Sequence, residues 1–438
     1  MSSQLLSTVN YLARLVDSIV SLSRLDLRVE SSLRETEIGE AVVVAFGKGS
    51  CQMADGALRS IGSVEGGVIV VPRGQVCRVE GLEVLESTHP IPSTASLKAA
   101  EAVLEWAETA RSRGVTLLSL VSGGGSALVE KPLEGLTLED IIEANRVLLA
   151  SGLSILEINT IRKHLSSVKG GRLAARAYPA NVIGLYASDV PGDRLDLIAS
   201  GPTVPDPTTF QDALTIIEAN GLDNMMPERV MKVLREGAKG LIPETPKPGD
   251  PVFERVDNRL VAANIDVLEG LKRKLEADGF NTLILTSRLE GESIEVGKAL
   301  ASIALEILER GTPIRPPAAL IAGGETSVTL PPGSGGRGGR NTELALSLAL
   351  RVDYWRPDLQ PGRIGILSMD TDGIDGSSPA AGAITFNGIS RLAPGGRRGL
   401  LEALALHDSY TVLDSLGLTV ITGPTGTNLN SVTIVLIA

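Results

Sequence analysis

Short apolar runs rich in β-branched residues alternate with longer amphipathic stretches along the first half of the chain. The runs with the length and composition of buried strands are 41–46, 67–71, 115–121 and 181–187. Between them, the stretches 96–113 and 138–151 repeat apolar residues at helical spacing. Strands that alternate with helices predict βαβ units and a largely parallel sheet.

A proline-rich segment without apolar periodicity, 240–256, interrupts this pattern and is the best candidate for a linker. The alternation then resumes, with strand-like runs at 259–263, 282–286, 318–321, 364–368 and 432–438 and helical stretches at 266–278, 293–310 and 342–350. A single hydrophobic core stops growing at roughly 250–300 residues, so a chain of 438 residues predicts two domains. We predict an α/β fold with a larger, Rossmann-like domain at 1–245 and a second α/β domain at 246–438, both with largely parallel sheets.

Composition narrows the classes of partner. The net charge is −11 and aromatic residues make up 3% of the chain, so neither a basic footprint nor stacking surfaces for nucleic acid are predicted. Residues 5–19 have helical apolar spacing interrupted by Arg14 and Asp17, which favours an amphipathic helix over a targeting peptide. The sequence has no apolar stretch of about 18 uncharged residues, so it predicts no membrane-spanning helix. Cys51 and Cys77 match no metal-binding spacing, and a reducing cytoplasm is the simplest setting for them.

Two glycine-rich turns follow predicted strands in the first half. Gly47 and Gly49 flank Lys48, which could place its ammonium near a ligand, although a surface lysine in a turn is the simpler reading. The second turn reads Ser122-Gly123-Gly124-Gly125-Ser126 and precedes a helical stretch. Its backbone N–H groups could bind a phosphate at a helix N-terminus, and a tight strand-to-helix connection is about equally compatible.

A short segment of this acidic chain, 158–174, is rich in cationic side chains. It contains Arg162, Lys163, His164, Lys169 and Arg172. Such a concentration of cations needs an anionic partner, and together with the nearby glycine turn it indicates phosphate chemistry.

Acidic residues cluster at two further strand ends. Asp189 and Asp193 flank a Pro-Gly turn, and Asp370, Asp372 and Asp375 follow the run 364–368. Mg²⁺ prefers few protein oxygens together with phosphate oxygens, so either cluster could hold this ion. Turns capped by aspartate side chains are the alternative in both places, and the second cluster could also bind a ribose.

Another glycine turn in the second half, Gly323-Gly324-Glu325, leads into a loop that runs to Arg337 and Arg340. The low-complexity part of this loop, 331–339, predicts a mobile segment. Its guanidinium groups could close over an anion, with solvated loop arginines as the alternative. The formal G-x-G-x-x-G at 333–338 is separated from its strand by two prolines and is a poor dinucleotide fingerprint.

These motifs match one family as a set. The sequence resembles the glycerate 2-kinases of the MOFRL family, proteins that have often been named hydroxypyruvate reductases. The resemblance extends over nearly the whole chain and includes the segments 47–49, 122–128, 157–166, 169–173, 199–203, 323–326, 338–341 and 370–373.

The resemblance implies ATP-dependent phosphorylation of D-glycerate, giving 2-phosphoglycerate, with the active site in the cleft between two α/β domains. It associates Lys48 and Arg340 with substrate binding and catalysis. With the charge pattern, it leads us to expect Arg162 and Lys163 near the substrate. The expected nucleotide-binding residues are Gly123, Gly124, Gly125, Ser126, Lys169, Asp189, Gly324 and Glu325, and the expected Mg²⁺ ligands are Asp189, Asp193, Asp370 and Asp372.

One position departs from the family pattern, because Ser431 stands where an aspartate is common. If the family's aspartate binds metal or nucleotide, this chain does not have that carboxylate at position 431. The alternatives to a kinase are a hydroxypyruvate reductase that uses NAD(P)H and a binding protein without catalytic activity. A homodimer is also compatible with the sequence.

Overall fold

The computed structural model describes residues 3–331, 333 and 335–438 and divides into two compact units. One unit, Leu25–Ala262, is called the parallel unit here, and the other, formed by the residues up to Arg24 with Ala263–Ala438, is called the mixed unit. This division differs from the predicted boundary at 245/246. The proline-rich segment 240–256 lies inside the parallel unit, because the strand that follows it pairs with that unit's sheet.

The α-helices of the described residues are α1 (Ser3–Leu22), α2 (Leu25–Leu33), α3 (Ser50–Leu58), α4 (Thr94–Arg113), α5 (Gly125–Leu128), α6 (Leu138–Ala150), α7 (Ile155–Lys163), α8 (Arg172–Ala177), α9 (Phe210–Ala219), α10 (Glu228–Ala238), α11 (Asn264–Ala277), α12 (Ser293–Arg310), α13 (Arg340–Trp355), α14 (Gly396–Ala405) and α15 (Ser409–Ser415). Short 3₁₀ turns occur at Ile198–Ser200, Pro251–Arg255 and Ile389–Arg391.

The strands are β1 (Glu40–Phe46), β2 (Ser63–Pro72), β3 (Glu83–Ser87), β4 (Thr116–Val121), β5 (Val182–Ala187), β6 (Val256–Ala262), β7 (Asn281–Leu289), β8 (Ala318–Gly324), β9 (Ile364–Asp370), β10 (Gly382–Phe386), β11 (Thr419–Val420) and β12 (Ser431–Ile437). Every helix and strand predicted from the apolar pattern is present. The pattern did not predict the short strands β3, β10 and β11, nor the shorter helices α2, α3, α7, α8, α9, α10 and α15.

The sheet of the parallel unit has the order β3-β2-β1-β4-β5-β6, with every neighbouring pair parallel. Its central strands are apolar because helices cover both faces of the sheet, and all of β5 is buried. The strand order reverses between β1 and β4, and open α/β sheets bind ligands beside the carboxyl ends of the strands at such a reversal. The predicted Rossmann-like arrangement is confirmed.

The sheet of the mixed unit has the order β11-β10-β9-β12-β8-β7. Among its described strands only β7 and β8 pair in parallel, and the last strand, β12, lies antiparallel between β8 and β9. The α/β class is confirmed, but the prediction of a largely parallel sheet is wrong for this unit. Apolar periodicity identifies strands without setting their direction, which depends on where each connection returns.

Separate apolar clusters stabilise the two units. In the parallel unit, one cluster lies under the sheet and a second joins α6, α7, α9 and α10. The mixed unit is built around α12 and α13, which pack on its sheet. The first helix belongs to this core, since Leu5 is buried there and Val9 packs against it.

By length and apolar composition alone, the stretch 4–33 could cross a membrane, which the sequence analysis did not predict. Only a minor part of this stretch is buried in the structure. Leu12, Leu15 and Ile19 of α1 are buried completely.

The two cysteines form a disulfide, Cys51–Cys77. It joins the first turn of α3 to the loop after β2. The sequence analysis did not pair these residues, because they are 26 positions apart and only the parallel pairing of β1 with β2 brings them together. The two cysteines therefore do not support the predicted reducing cytoplasm.

Candidate active site

The loops after β1 and β4 interlock at the reversal of strand order in the parallel unit. The backbone N–H of Lys48 donates to the carbonyl of Gly123 (2.8 Å), and the N–H of Gly49 donates to the Ser122 hydroxyl (2.9 Å). Gly47 has a φ of +121°, and a Cβ there would lie 2.2 Å from the Ser122 oxygen. Gly47 is therefore required by this close approach.

A cavity of about 300 Å³ opens beside these loops. The predicted site residues that line it are Gly124, Ser126, Arg162, Lys169 and Asp189. The structure thus brings together members of three separate sequence motifs. The Lys48 side chain lies next to this wall, because a Cβ added at Gly124 would be 3.5 Å from the Lys48 Cγ.

The glycine turn permits a carboxylate to lie against its backbone. A Cβ at Gly123 would be 1.8 Å from an oxygen of Asp189, and a Cβ at Gly125 would be 3.0 Å from Ala199. The predicted order of strand, glycine turn and helix is present, but α5 is a single turn of four residues. Any anion here would be bound by local N–H groups more than by a long helix dipole.

Arg162 reaches the cavity from α7. This helix begins with a capping box between Ser154 and Glu157, and it buries Ile158 and Ile161 against α9 and α10. The Arg162 Nε donates to the amide oxygen of Asn145 at 2.6 Å. Burial lowers the pKa of Arg162, with Glu130 opposing that change. Its direct partner is thus neutral, and its positive charge remains available to a ligand.

Lys163 points elsewhere, contrary to the prediction that it binds substrate. Its ammonium is buried and pairs with Asp196 at 3.2 Å and Asp206 at 3.4 Å. Successive residues of a helix project about 100° apart, so Arg162 and Lys163 cannot face the same space. Lys163 has the position of a structural ion pair within the parallel unit.

Lys169 lies in the cavity wall, and its positive charge is already balanced by a neighbouring carboxylate. Its ammonium pairs with the buried carboxylate of Glu130. Burial lowers the pKa of Lys169, and the negative charge of Glu130 opposes this effect. Glu130 also lines the cavity, four residues beyond the glycine turn 122–126, and the sequence motifs did not assign it a role.

Of the first predicted acidic pair, only Asp189 lines the cavity. Asp193 lies in the following turn with a φ of +56°, a conformation that aspartate tolerates better than most residues. The structure therefore does not bring the two carboxylates together at this cavity.

His89 is a cavity residue to which the sequence analysis gave no function. Its ring lies close to Gly124, and a Cβ there would be 3.3 Å from the His89 Cδ2. Burial lowers the pKa of His89, and the positive charge of Lys48 lowers it further. The sequence feature that could have identified His89 as a site residue is its position two residues after the end of β3.

A second contact network shapes the cavity floor. Ala199 and Ser200 both have left-handed backbone conformations, with φ of +48° and +60°. The Ser200 hydroxyl donates to the Asn159 side chain at 2.6 Å and lies 2.8 Å from the Ser126 hydroxyl. Such conformations persist only where surrounding contacts hold them, and they are frequent at ligand sites.

In the mixed unit, Arg340 is the first residue of α13 and not a loop residue as predicted. Its guanidinium pairs with the carboxylates of Glu325 and Asp370, and its Nε donates to Asp370 at 2.9 Å. The preceding residue is Gly339. A larger residue would not fit at this position, because a Cβ would lie 2.4 Å from the Asp375 carboxylate. Asp375 accepts the N–H groups of residues 341 and 342, which caps the helix.

The antiparallel pairing of β12 explains why distant acids and Ser431 meet Arg340. Ser431 pairs with Gly324 at the end of β8 and with Asp370 at the end of β9. Its hydroxyl accepts from the Asn341 side chain (3.1 Å) and lies 3.4 Å from Asp370. An aspartate here would place a second carboxylate beside Asp370.

Asp370 is completely buried, and one of its oxygens, Oδ1, has no hydrogen-bond partner in the described part of the chain. Burial raises the pKa of Asp370 to about 7, against the lowering effect of the Arg340 guanidinium, and the charge of Asp372 raises it further. No group of three or more potential metal-binding side chains occurs among the described residues.

The predicted mobile segment 331–339 is only partly covered, because residues 332 and 334 lie outside the described residues. Arg337 stacks on Tyr410, with its Cζ 4.7 Å from the ring centre, and its backbone N–H donates to Asp408. Arg337 is thus held by α15 and its preceding turn.

Comparison with known proteins identifies the family. Residues 10–235 match a domain of unknown function (DUF4147), and residues 318–431 match the MOFRL family. The chain is 42% identical to the glycerate 2-kinase of Pyrococcus horikoshii over 92% of its own length and 89% of that protein. This chain belongs to the MOFRL-type glycerate kinase family.

A solved structure agrees with this assignment to the glycerate kinase family. The crystal structure of glycerate kinase from Thermotoga maritima superposes with a TM-score of 0.87 at 38% identity, covering 99% of this chain and all of that one. A protein of Agrobacterium vitis, 41% identical over 97% of this chain and 94% of its own length, is named as a hydroxypyruvate reductase. The resemblance inferred from the motifs is confirmed.

Proposed function

We propose that this protein phosphorylates D-glycerate with ATP, giving 2-phosphoglycerate and ADP. The observation that carries the proposal is the small cavity of the parallel unit, where Arg162 and the neighbouring Lys48 provide positive charge beside a glycine turn. A carboxylate and a phosphate are both anions of the size and charge that such a site favours. Membership of the glycerate kinase family supports the same reaction.

Within the parallel unit, we assign recognition of the substrate anion to Arg162 and Lys48. Arg162 is oriented by Asn145 and keeps its charge, whereas Lys169 is neutralised by Glu130 and supports the wall. The N–H groups of Gly123, Gly124 and Ser126 are proposed to bind phosphate oxygens of the nucleotide, whereas the N–H of Gly125 donates to the carbonyl of Ser122 (3.2 Å) and closes the turn. Phosphoryl transfer spreads negative charge over these oxygens, so preorganised cations and N–H groups lower its barrier.

Within the mixed unit, we assign Arg340 to catalysis. Asp370 and Glu325 hold its guanidinium in one orientation, so little reorganisation is needed when an anion approaches. Glu325 is about half exposed and is the partner that a ligand can displace more readily than the buried Asp370. Gly324, at the end of β8, was predicted to bind the nucleotide, but a Cβ there would lie 2.2 Å from the backbone nitrogen of Leu289, so this glycine serves the packing of the strands.

The acids of the mixed unit fit a Mg²⁺ ion. Asp370 has a buried oxygen without a hydrogen-bond partner in the described chain, and Asp372 is close enough to influence its charge. Mg²⁺ commonly takes one or two carboxylates together with phosphate oxygens and water, and when bound it neutralises phosphate charge. We propose Asp370 and Asp372 as its ligands here, and of the first acidic pair we retain Asp189 over Asp193 as a candidate.

Hydroxypyruvate reduction is the second candidate, because a close relative carries that name. A dinucleotide fingerprint would need a third glycine or alanine after Gly47 and Gly49, and this chain has Gln52 there. The other G-x-G-x-x-G, at 333–338, begins nine residues after the end of β8. Both features favour phosphoryl transfer over hydride transfer.

The test is phosphorus NMR of the products after the pure protein is mixed with D-glycerate, ATP and Mg²⁺. A phosphomonoester with the coupling pattern of 2-phosphoglycerate, formed together with ADP, is the expected result. A parallel absorbance trace with NADH and hydroxypyruvate serves as the control for reduction. NADH consumption without a phosphoester would overturn the proposal in favour of a reductase, and a 3-phosphate product would overturn the assigned position.

We further propose that the protein is an enzyme with small-molecule partners, without nucleic acid or membrane, and that it forms a homodimer. A cytoplasmic location stays a prediction, and the Cys51–Cys77 disulfide is a feature that is rare in that compartment outside hyperthermophiles. The net charge of −11 and the scarcity of aromatic residues support the exclusion of nucleic acid. Sedimentation velocity measures the oligomeric state, and a single monomeric species would contradict the dimer.

A further inference from the structure

A second cavity, separate from the residues discussed so far, lies on the mixed unit. It is a groove of about 360 Å³ formed by α12, α13 and α14. Its floor consists of the buried side chains Leu350 and Leu404, and its open side includes Leu401, which is 41% exposed, and Tyr354, which is 53% exposed. This volume lies at the small end of the range of ordinary small-molecule sites, and the leucine side chains that line it favour an apolar ligand body.

The polar groups of the groove are cationic. Lys298, Arg351 and Arg397 line it, and none of the described lining residues is acidic. The guanidinium carbons of Arg397 and Arg351 lie 5.0 and 5.9 Å from the centre of the Tyr354 ring. In the described chain these two arginines form no ion pair with a carboxylate, whereas Lys298 pairs with Glu295 at 2.6 Å.

Two neighbouring arginines of α14 differ in how their charges are placed. The neighbouring Arg398 shows the ordinary arrangement, since it is 89% exposed and pairs with Glu402 one helical turn away. Arg397 instead turns toward the groove and stacks on Tyr354. Stacking leaves the guanidinium N–H groups free to bind an anion, because the ring contacts only the face of the group.

We propose that this groove binds a small amphipathic carboxylate, with the carboxylate between Arg351 and Arg397 and the apolar body on Leu350, Leu401 and Leu404. Apolar walls and cations at the rim complement the two ends of such a molecule. A neutral apolar molecule would leave the charge unused, and a highly polar anion such as glycerate would leave the leucines exposed to water. The site is independent of the proposed kinase reaction, because Arg340, Glu325 and Asp370 do not line it.

The test uses octanoate as the probe and isothermal titration calorimetry of the full-length protein. We expect one saturable site per chain, with binding weakened about tenfold in Arg351→Ala and in Arg397→Ala, since each removes one charge-assisted contact. Arg398→Ala is the matched control, and it should bind octanoate like the unmodified protein. The neutral analogue 1-octanol should bind at least about tenfold more weakly than octanoate.

A second variant guards against a loss of binding through misfolding. Ala405 lines the groove at the exposed end of α14, so Ala405→Trp should fill the space and abolish binding while leaving the melting temperature nearly unchanged. The proposal is overturned if octanoate shows no saturable binding. It is equally overturned if Arg398→Ala weakens binding as much as Arg397→Ala, or if Ala405→Trp still binds octanoate normally.

Discussion

Two arginines, one in each unit, are held in contrasting ways. Arg162 of the parallel unit is oriented by the neutral amide of Asn145, whereas Arg340 of the mixed unit is held by the carboxylates of Glu325 and Asp370. The cavity near Arg162 therefore keeps positive charge for an anion. Around Arg340 the acids outnumber the cation, so this region can accept a metal ion as well as a phosphate.

The role of a cationic residue in a sequence motif therefore cannot be assigned until its interaction partner is known. Lys163 illustrates this point within the same helix as Arg162, because two aspartates bury and neutralise it.

Arg340→Ala should lower both turnover and stability. We expect turnover to fall at least about 100-fold, because a preorganised cation is lost. We also expect the free energy of unfolding to fall by about 3 kcal/mol, because Asp370 stays buried without its counter-charge. Kinase assays and urea unfolding measure the two effects. The double variant Arg340→Ala/Asp370→Asn should regain most of the stability but none of the turnover, and normal turnover in either would refute the catalytic role.

Arg162→Ala should act mainly on substrate binding. We expect the KM for glycerate to rise about tenfold or more through loss of a charged contact, with about 1 kcal/mol lost in stability, because the partner left behind is a neutral amide. The neighbouring variant Lys163→Ala is the control and should show the reverse: about 3 kcal/mol lower stability and an unchanged KM. If both variants changed KM equally, the assigned difference between the two cations would be wrong.

Asp370→Asn should weaken Mg²⁺ binding about tenfold, since one carboxylate charge is removed from the proposed ligand set. Calorimetric titration of the nucleotide-free protein with Mg²⁺ measures the effect apart from catalysis. Asp193→Asn, a substitution in the turn that does not line the cavity, should leave Mg²⁺ affinity unchanged. Equal affinities in the unmodified and Asp370→Asn proteins would exclude Asp370 as a ligand.

The smallest expected effect is a shift in the pKa of His89, and it tests the position of the Lys48 charge in the parallel unit. Burial and then Lys48 lower its pKa below the ordinary value of 6.5, so the imidazole is neutral in the folded protein near pH 7. Its contribution to stability is fully present above that ordinary value and is lost as the pH falls from there through the lower pKa of the folded protein.

We expect Lys48→Ala to move the pKa of His89 upward, because one of the two lowering influences is removed. Imidazole NMR measures this directly, since the chain has three histidines and His164 and His407 serve as internal references. An unchanged or lower pKa of His89 in the variant would show that Lys48 does not lie where we place it.

Much of the candidate site could be predicted because its loops are local. The turns at 47–49 and 122–126 are short, rich in glycine and preceded by unmistakable strands, so their place at strand ends followed from the sequence. The match to the glycerate kinase family rests on the same segments. Arg162 was identified by the density of cations around it, and Lys163 could not be separated from it without knowing which face of α7 is buried.

The α/β class, the position of most strands and of the six longest helices, and the glycines that let loops approach each other could be read from the sequence, because these depend on periodicity and backbone freedom over a few residues. Tertiary structure alone decided the direction of β12, the meeting of Arg340 with Asp370, the pairing of Cys51 with Cys77, and the place of α1 in the mixed unit. Each of these joins residues far apart in the chain. Such contacts depend on how whole elements pack, and a local pattern carries no information about that choice.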